Sequence, residues 1–143
     1  MIWVIDASVA VRWLIEDETH PHADSVLEAL LGMPEMFAVP ELFAFEVFAV
    51  LLRIHPNGIE AYEEGIIPLL HAGLLRQPMT ERMANQASRY VRKGLTGYDA
   101  CYAALAEDLQ GTWLTFDGKA HRRIVADNVS HLLTDKMPMD WPE

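Results

Sequence analysis

The sequence is poor in cysteine and in basic residues. Cys101 is the single cysteine among 143 residues, so no disulfide can form within the chain, and the composition fits a reducing compartment. Lys and Arg number 11 against 21 Asp and Glu, which gives a net charge of −10. This balance argues against nucleic-acid binding through a broad basic face. It is more compatible with a concentrated acidic site that binds cations.

Long hydrophobic runs, linkers and repeats are also missing. No apolar stretch is long enough to cross a bilayer, and the opening residues lack the basic segment and cleavage site of a secretory signal, so we expect a cytoplasmic protein. The length and the 51% hydrophobic content predict one folded domain over residues 1–135. An irregular tail is predicted over residues 136–143. Trp141 in that tail has three open interpretations, as a cap on the core, a contact in a dimer or a side chain in solvent.

Short apolar segments alternate with longer amphipathic segments. This alternation is typical of an α/β fold in which helices cover both faces of a parallel sheet. The apolar runs predict strands over residues 2–5, 36–39, 112–115 and 129–133. The helical pattern predicts helices over residues 8–15, 22–31, 41–54, 59–73, 80–93, 97–109 and 118–126. The helices over 59–73 and 80–93 are interpreted as a helical hairpin broken at Gly73 and Pro78.

Four acidic residues occupy positions at which such a sheet binds ligands. Asp6 directly follows the first predicted strand, and Asp117 follows the third. Asp99 lies near the start of one helix, and Glu46 lies in the second turn of another. Strand carboxyl ends and the amino ends of crossover helices meet at one edge of a parallel sheet. We therefore expect all four carboxylates to reach one pocket.

Three of these acids also have a structural interpretation. Asp6 and Asp117 are candidate N-caps of the helices that follow them. Thr96 and Asp99 have the spacing of a capping box. For each aspartate taken singly, the structural and the functional interpretation both stay open.

Glu46 is harder to explain as a structural residue. It is the only charged residue between Leu42 and Leu52, in a helix that is apolar nearly all round. A glutamate is rarely buried without a partner, and this helix offers no Lys or Arg before Arg53. We therefore favour a functional role, while a partner from elsewhere in the fold stays open. The helix also has more apolar surface than one sheet face requires, which makes it a candidate interface.

A divalent cation would explain why four carboxylates gather. Without cations they would repel one another, and some would stay protonated. Mg²⁺ prefers oxygen ligands and binds substrate phosphates while it keeps several waters. We therefore predict metal-assisted hydrolysis of a phosphodiester, with Asp6, Asp99 and Asp117 as direct ligands. Glu46 would bind the metal through water or orient the attacking water, and the number of ions stays open.

The segments around the acids resemble those of a known family. They read VIDASV from Val4, PELFAFEV from Pro40, YDACYAALAE from Tyr98 and LTFDGK from Leu114. The four segments occur in family order and span nearly the whole chain. The sequence thus resembles the PIN-domain nucleases, in particular the VapC-type toxins of toxin–antitoxin pairs.

This resemblance implies a three-layer α/β/α sandwich with a short central parallel sheet, and an endoribonuclease activity that depends on Mg²⁺ or Mn²⁺. It further implies RNA cleavage to a 5′-phosphate, a homodimer, and a cognate antitoxin with a segment that blocks the active-site groove. The functional positions of the family fall here on the acids Asp6, Glu46, Asp99 and Asp117 and on the supporting hydroxyl residues Ser8 and Thr115.

Basic residues near the predicted pocket are candidates for holding RNA despite the net charge. Arg12 lies one turn beyond Ser8, and Lys119 lies two residues after the last acid, with Arg122 and Arg123 further on. Cations near such a pocket contact phosphates. We predict phosphate contacts for Arg12 and Lys119.

Two other functions are compatible with parts of the pattern. A receiver-type signalling module also binds Mg²⁺ with acids at strand ends, but it needs a paired acidic start and an aspartate that ends a central strand. Here Asp6 is followed by alanine, and the second strand leads into Pro40 and Glu41. The other alternative is a non-catalytic PIN fold kept as an interaction surface. Loss of an acid would favour it, and all four acids are present.

Overall fold

The centre of the structure is a parallel sheet, which has five strands among residues 1–142, the part of the chain that the computed structural model describes. The strands are β1 (Trp3–Ile5), β2 (Phe37–Pro40), β3 (Leu75–Gln77), β4 (Thr112–Thr115) and β5 (Ser130–Leu132). They lie in the order β3-β2-β1-β4-β5, so the central strand β1 pairs with both β2 and β4. Helices flank this sheet, which confirms the predicted α/β fold with a short parallel sheet.

The strand order separates this fold from a receiver-type module. The doubly wound sheet of receivers has the order 2-1-3-4-5, in which the first and third strands are neighbours. Here β1 lies next to β4, and β3 lies at the edge beside β2. The receiver interpretation is therefore wrong for this chain.

Eight α-helices connect the strands within residues 1–142. They are α1 (Ala7–Leu14), α2 (Pro21–Gly32), α3 (Leu42–Ile54), α4 (Gly58–Gly65), α5 (Ile67–Leu70), α6 (Glu81–Arg92), α7 (Gly97–Asp108) and α8 (Gly118–Ile124). Short 3₁₀ turns cover Glu16–Glu18, Pro34–Met36 and Val125–Asp127. Of the helices described, none has both the length and the apolar character to span a membrane.

The segment between α3 and α6 differs from the predicted helical hairpin. Residues 59–73 contain two short helices, α4 and α5, because Pro68 in the first turn of α5 has no amide hydrogen to continue a helix from α4. Leu75–Gln77 forms the edge strand β3, which was not predicted. Its residues are exposed or only partly buried, and only Leu75 is apolar. The apolar run from which β1 and β2 were predicted is therefore missing here.

The core is built around β1 and α7. All three residues of β1 are at most 1% exposed, as expected for a central strand covered on both faces. α7 packs on β1, β2 and β4, and every residue from Ala100 to Ala106 is buried. Alanine occupies most of these positions, and small side chains let a helix pack closely. The amino end of α7 is thereby fixed at the edge where β1 and β4 end.

The C-terminal tail closes the core at the opposite end of the strands. The ring of Trp141 lies 5.0 Å from that of Trp3 and 6.2 Å from that of Phe37, measured between centroids. Trp141 therefore caps the core, which is one of its three interpretations, and it is not a side chain free in solvent. Residues 133–142 contain no helix or strand, and Glu143, the last residue of the predicted tail, lies outside the described residues.

Candidate active site

The four predicted acids lie where strands end and helices begin. Asp6 follows β1 and is the N-cap of α1, and Asp117 follows β4 and is the N-cap of α8. Asp99 lies in the first turn of α7, and Glu46 lies in the second turn of α3. All four are therefore at the carboxyl-terminal edge of the sheet, where open α/β sheets bind their ligands.

The capping interpretation is correct for Asp6 and Asp117, and of the predicted capping box the structure shows the bond made by Thr96. Asp6 Oδ2 accepts a 3.2 Å hydrogen bond from the amide two residues further on, and Asp117 Oδ1 accepts a 3.0 Å bond from the amide three residues further on. At α7 the cap is Thr96, whose hydroxyl accepts a 3.1 Å bond from the amide of Asp99. Each of these bonds engages one side-chain oxygen, so capping and a functional role are compatible.

Asp6 is the most enclosed of the four acids, at 6% exposure. Its Oδ1 accepts a 3.2 Å hydrogen bond from the indole of Trp113, and its Oδ2 accepts a 3.1 Å bond from the hydroxyl of Thr115. Burial raises the pKa of Asp6, and the hydrogen bonds from Ser8, Thr115 and Trp113 oppose that rise. The carboxylate is thus held in one orientation.

Two hydroxyl groups join the loops that bear Asp6 and Asp117. The Thr115 hydroxyl donates to Asp6 and accepts a 3.0 Å hydrogen bond from the amide of Asp117. The Ser8 hydroxyl accepts a 3.1 Å bond from the amide of Phe116. The loop after β1 and the loop after β4 are therefore tied together by the two hydroxyl residues that the family resemblance singled out.

Glu46 has a partner from elsewhere in the fold. Its Oε1 accepts a 2.7 Å hydrogen bond from the phenol of Tyr102 on α7, and the Tyr102 ring stacks on Trp113 with 5.8 Å between centroids. Burial raises the pKa of Glu46 to about 7; the Tyr102 hydrogen bond opposes the rise, and the charges of Asp6 and Asp99 add to it. Tyr102 was not predicted as a site residue, although it lies one turn after Asp99 and a buried tyrosine hydroxyl needs a partner.

Asp99 is also shifted toward its protonated form. Burial raises the pKa of Asp99 to about 6, and the charges of Asp6 and Asp117 contribute to the rise. Asp99 and Asp117 line one small recess of about 100 Å³. The four acids therefore share one region of negative potential. The charges of Asp6 and Asp99 raise the pKa of Glu46, and the charge of Asp117 raises that of Asp99.

The acids approach one another without closing around a common point. Among residues 1–142, no group of three or more His, Cys, Asp or Glu side chains is arranged so that it could hold a metal ion. Asp6, Glu46 and Asp117 are each bonded to a donor on a neighbouring side chain or backbone. The side-chain oxygens of these residues are nevertheless suitable ligands for Mg²⁺ or Mn²⁺, because they are carboxylate and hydroxyl oxygens.

Basic side chains lie around the loop that bears Asp117. Arg12 donates a 2.6 Å hydrogen bond to a carbonyl of α1, and its guanidinium carbon lies 4.1 Å from the centre of the Phe116 ring. Lys119 is exposed and lines the recess that holds two of the acids. Arg123 lines the same recess, although no phosphate contact was predicted for it. Its position depends on how α8 packs, which local sequence does not reveal.

The family follows from comparison with known proteins. The family model described as PIN domain matches residues 3–125, which is most of the chain. The chain therefore belongs to the PIN domain family, and its α/β/α fold is PIN-like, as the sequence predicted. A comparison with curated proteins gives no match.

Three solved structures share the fold at low sequence identity. The FitAcB structure from Neisseria gonorrhoeae has a TM-score of 0.69 and 17% identity over 92% of this chain and 96% of that chain. A toxin–antitoxin complex from Klebsiella pneumoniae has a TM-score of 0.63 and 13% identity over 90% and 94% of the two chains. VapC20 from Mycobacterium tuberculosis, described as a toxin that cleaves the sarcin–ricin loop, has a TM-score of 0.60 and 13% identity over 84% and 93%. At these identities the likeness concerns the fold alone.

Proposed function

We propose that this protein is a metal-dependent endoribonuclease and the toxin of a toxin–antitoxin pair. The observation that carries the proposal is the gathering of Asp6, Glu46, Asp99 and Asp117 at one edge of the sheet, where burial and, to a smaller extent, the charges of neighbouring acids raise the pKa values of Glu46 and Asp99. Strongly shifted acids at the ligand-binding edge of a fold are typical of a functional site. Membership of the PIN domain family supports nuclease chemistry at that site.

Mg²⁺ or Mn²⁺ is the proposed cofactor. Asp6, Asp99 and Asp117 would bind the ion directly, and Glu46 would bind it through water. A divalent cation relieves the repulsion among these carboxylates. Because the side chains do not already converge, Asp99 and Asp117 would turn toward the ion. Asp6 would stay in place, since three hydrogen bonds hold it.

The side chains of the site have separate roles in the proposed reaction. When bound, the ion would neutralise charge on the phosphate and lower the pKa of a water molecule. Glu46, with a pKa of about 7, can exchange a proton near neutral pH and would act as the general base toward the attacking water. Tyr102 orients Glu46 through one carboxylate oxygen. Thr115 and Trp113 are positioning residues that act through Asp6.

RNA is the proposed substrate, and Arg12 and Lys119 are its proposed phosphate contacts. The net charge of −10 makes local cations necessary, because the rest of the surface repels a phosphate backbone. The contact of Arg12 with Phe116, the residue before Asp117, supports this role. Lys119 is exposed at the recess, and its flexible side chain can reach a bound phosphate. The substrate and the single cysteine favour a cytoplasmic location.

A homodimer and a cognate antitoxin complete the proposal. The similar structures include a toxin–antitoxin complex and FitAB bound to a DNA fragment. On α3, Phe48 and Leu52 are 41% and 46% exposed, and Ile59 on the adjacent α4 is 53% exposed. Contiguous apolar groups of this kind favour protein contacts. We assign this flank of α3 to the protein partners.

Cleavage of defined RNAs in the presence of Mg²⁺ or Mn²⁺, with the cut ends mapped, tests the function. We expect internal cleavage with 5′-phosphate ends, and its loss with EDTA or in Asp6→Asn. Glu28→Gln, which changes an exposed acid on α2, is the matched control and should retain activity. Absence of cleavage with either ion would favour the alternative of a PIN fold that serves only as an interaction surface.

A further inference from the structure

We infer that the groove between α3 and the amino end of α7 holds an unpaired RNA base next to the scissile phosphate. This inference rests on the proposed ribonuclease function and deepens it, because it names the part of the substrate that the protein reads. Glu46 is one of the residues that line the groove, together with Leu42, Phe45, Ala49, Val50, Arg53 and Tyr98.

One side of the groove is a stripe on α3. Leu42, Phe45, Ala49 and Arg53 are spaced three or four residues apart, so their side chains share one face of the helix. Glu46 lies at the border of this stripe. Arg53 is seven residues further along, roughly 10 Å at the rise of an α-helix. If the scissile phosphate of an RNA strand lies near Glu46, Arg53 is therefore within reach of a neighbouring phosphate further along the groove.

Two exposed aromatic rings line the groove. Phe45 is 70% exposed, and Tyr98 on α7 is 64% exposed. The third exposed aromatic side chain within residues 1–142, Phe48, is packed edge-on against Tyr62 with 5.0 Å between centroids. Exposed rings are the platforms on which proteins stack the bases of single-stranded nucleic acids. Phe45 and Tyr98 are thus placed to stack a base beside the acids.

Charge distinguishes a nucleotide from an apolar protein segment as the occupant. The ion pairs found within residues 1–142 engage Arg76, Arg82, Arg89 and Lys93, and none of them uses Arg53. A guanidinium without an acid partner, in a chain of net charge −10, is complementary to a phosphate. The groove volume of about 530 Å³ is in the range of pockets that hold drug-sized ligands, which includes one nucleotide.

The occupant has to be single-stranded, because a base in a duplex cannot stack on protein side chains without leaving its neighbours. The substrate is therefore an unpaired stretch or loop of RNA. Identity of the base beside the cut should affect KM, since stacking strength differs among bases.

Ring-removing variants test the base site. On a defined unstructured RNA that the wild type cleaves, Phe45→Leu and Tyr98→Leu should raise KM about tenfold, the loss expected for one stacked base, with little change in kcat. Tyr98→Phe keeps the ring and should stay near the wild type. Arg53→Gln should reduce the salt dependence of RNA binding. Leu31→Ala, which truncates an apolar side chain that is 63% exposed on α2, is the control and should not change KM.

The outcomes separate this inference from the proposed function. A wild type that cleaves RNA, together with unchanged KM in both leucine variants, would overturn the base site and leave the ribonuclease function standing. A wild type that neither binds nor cleaves RNA would overturn both. Loss of self-association by light scattering in the leucine variants, with unchanged KM, would assign the groove to a second copy of the chain. Thermal unfolding of each variant confirms that it is folded.

Discussion

The phenol of Tyr102 donates a 2.7 Å hydrogen bond to Glu46, and this bond joins α7 to α3 beside the other acids. A donor stabilises the ionised carboxylate, so the bond opposes the burial that raises the pKa of Glu46 to about 7. The proton affinity of the proposed general base therefore depends on Tyr102.

Tyr102→Phe should raise the pKa of Glu46 further. Loss of a hydrogen bond to a charged group costs about 1.5–3 kcal/mol, which corresponds to about one pKa unit or more. We expect the acidic limb of the kcat/KM profile to move up by about one pH unit, with a rate about fivefold lower at neutral pH. Tyr62→Phe, which loses a hydroxyl bonded to the Ala44 carbonyl, should leave the profile unchanged. An unshifted profile in Tyr102→Phe would contradict the role of Glu46.

Stability without divalent ions should fall as pH rises. The pKa of Glu46 is raised from 4.5 to about 7 and that of Asp99 from 3.8 to about 6, so the folded chain binds more protons than the unfolded chain between these values. The stabilisation is present below the unfolded pKa values and is lost as pH rises through the folded ones. The change is on the order of 1 kcal/mol for each half-buried acid, because solvent screens part of the interaction.

Urea unfolding in EDTA across this pH range measures the effect. Glu46→Gln should flatten the pH dependence, whereas Glu28→Gln, at an exposed position on α2, should not. A free energy of unfolding that rises with pH over this interval would show that other groups dominate.

Mg²⁺ should restore the stability lost at higher pH. An ion that binds the folded chain in preference to the unfolded chain raises Tm by mass action. We expect calorimetry slightly above neutral pH to show a Tm that rises with Mg²⁺ concentration in the wild type and much less in Asp99→Asn. An equal rise in the variant would place the ion elsewhere.

Thr115→Val should weaken both the fold and the site. Thr115 is fully buried, and its hydroxyl bonds to Asp6 and to the amide of Asp117. Valine keeps the shape, but the amide of Asp117 loses its partner and Asp6 loses one of its three hydrogen bonds. The free energy of unfolding should therefore fall by about 1–3 kcal/mol, and Mg²⁺ should bind more weakly. Thr115→Ser keeps the hydroxyl and should recover the affinity. Unchanged Mg²⁺ affinity in Thr115→Val would show that Asp6 needs no such support.

Trp141→Ala should destabilise the protein and spare its activity. The ring covers Trp3 and Phe37 at the end of the sheet far from the acids. Its removal should lower the free energy of unfolding by about 2 kcal/mol, as expected for a partly buried aromatic side chain. Met139→Ala, at a position that is 99% exposed, is the control for the tail. RNA cleavage per folded molecule should be equal in the wild type, Trp141→Ala and Met139→Ala.

Much of the fold could be predicted because its signals are local. β1 and β2 are short apolar runs, and the helices that follow begin at recognisable residues. The rule for parallel sheets then placed Asp6, Glu46, Asp99 and Asp117 at one edge without knowledge of the strand order. That deduction needed only the direction of each strand and helix.

The features that escaped prediction depend on distant contacts. Tyr102 and Glu46 are 56 residues apart in sequence, and their bond exists only because α7 packs beside α3. β3 is held by its pairing with β2, since its own three residues contain no apolar run. The detailed arrangement of the acids is equally non-local, because Trp113, Thr115 and Tyr102 determine how Asp6 and Glu46 are oriented.

The outer strands β3 and β5 are each three residues long. In β3, Arg76 is paired with Glu41 at 2.7 Å, and Pro78 follows directly after the strand. Brevity, charge and proline at a sheet margin discourage strand-to-strand joining between molecules. The edges of the sheet should therefore resist pairing between molecules, and concentrated solutions of this protein should not form fibrils.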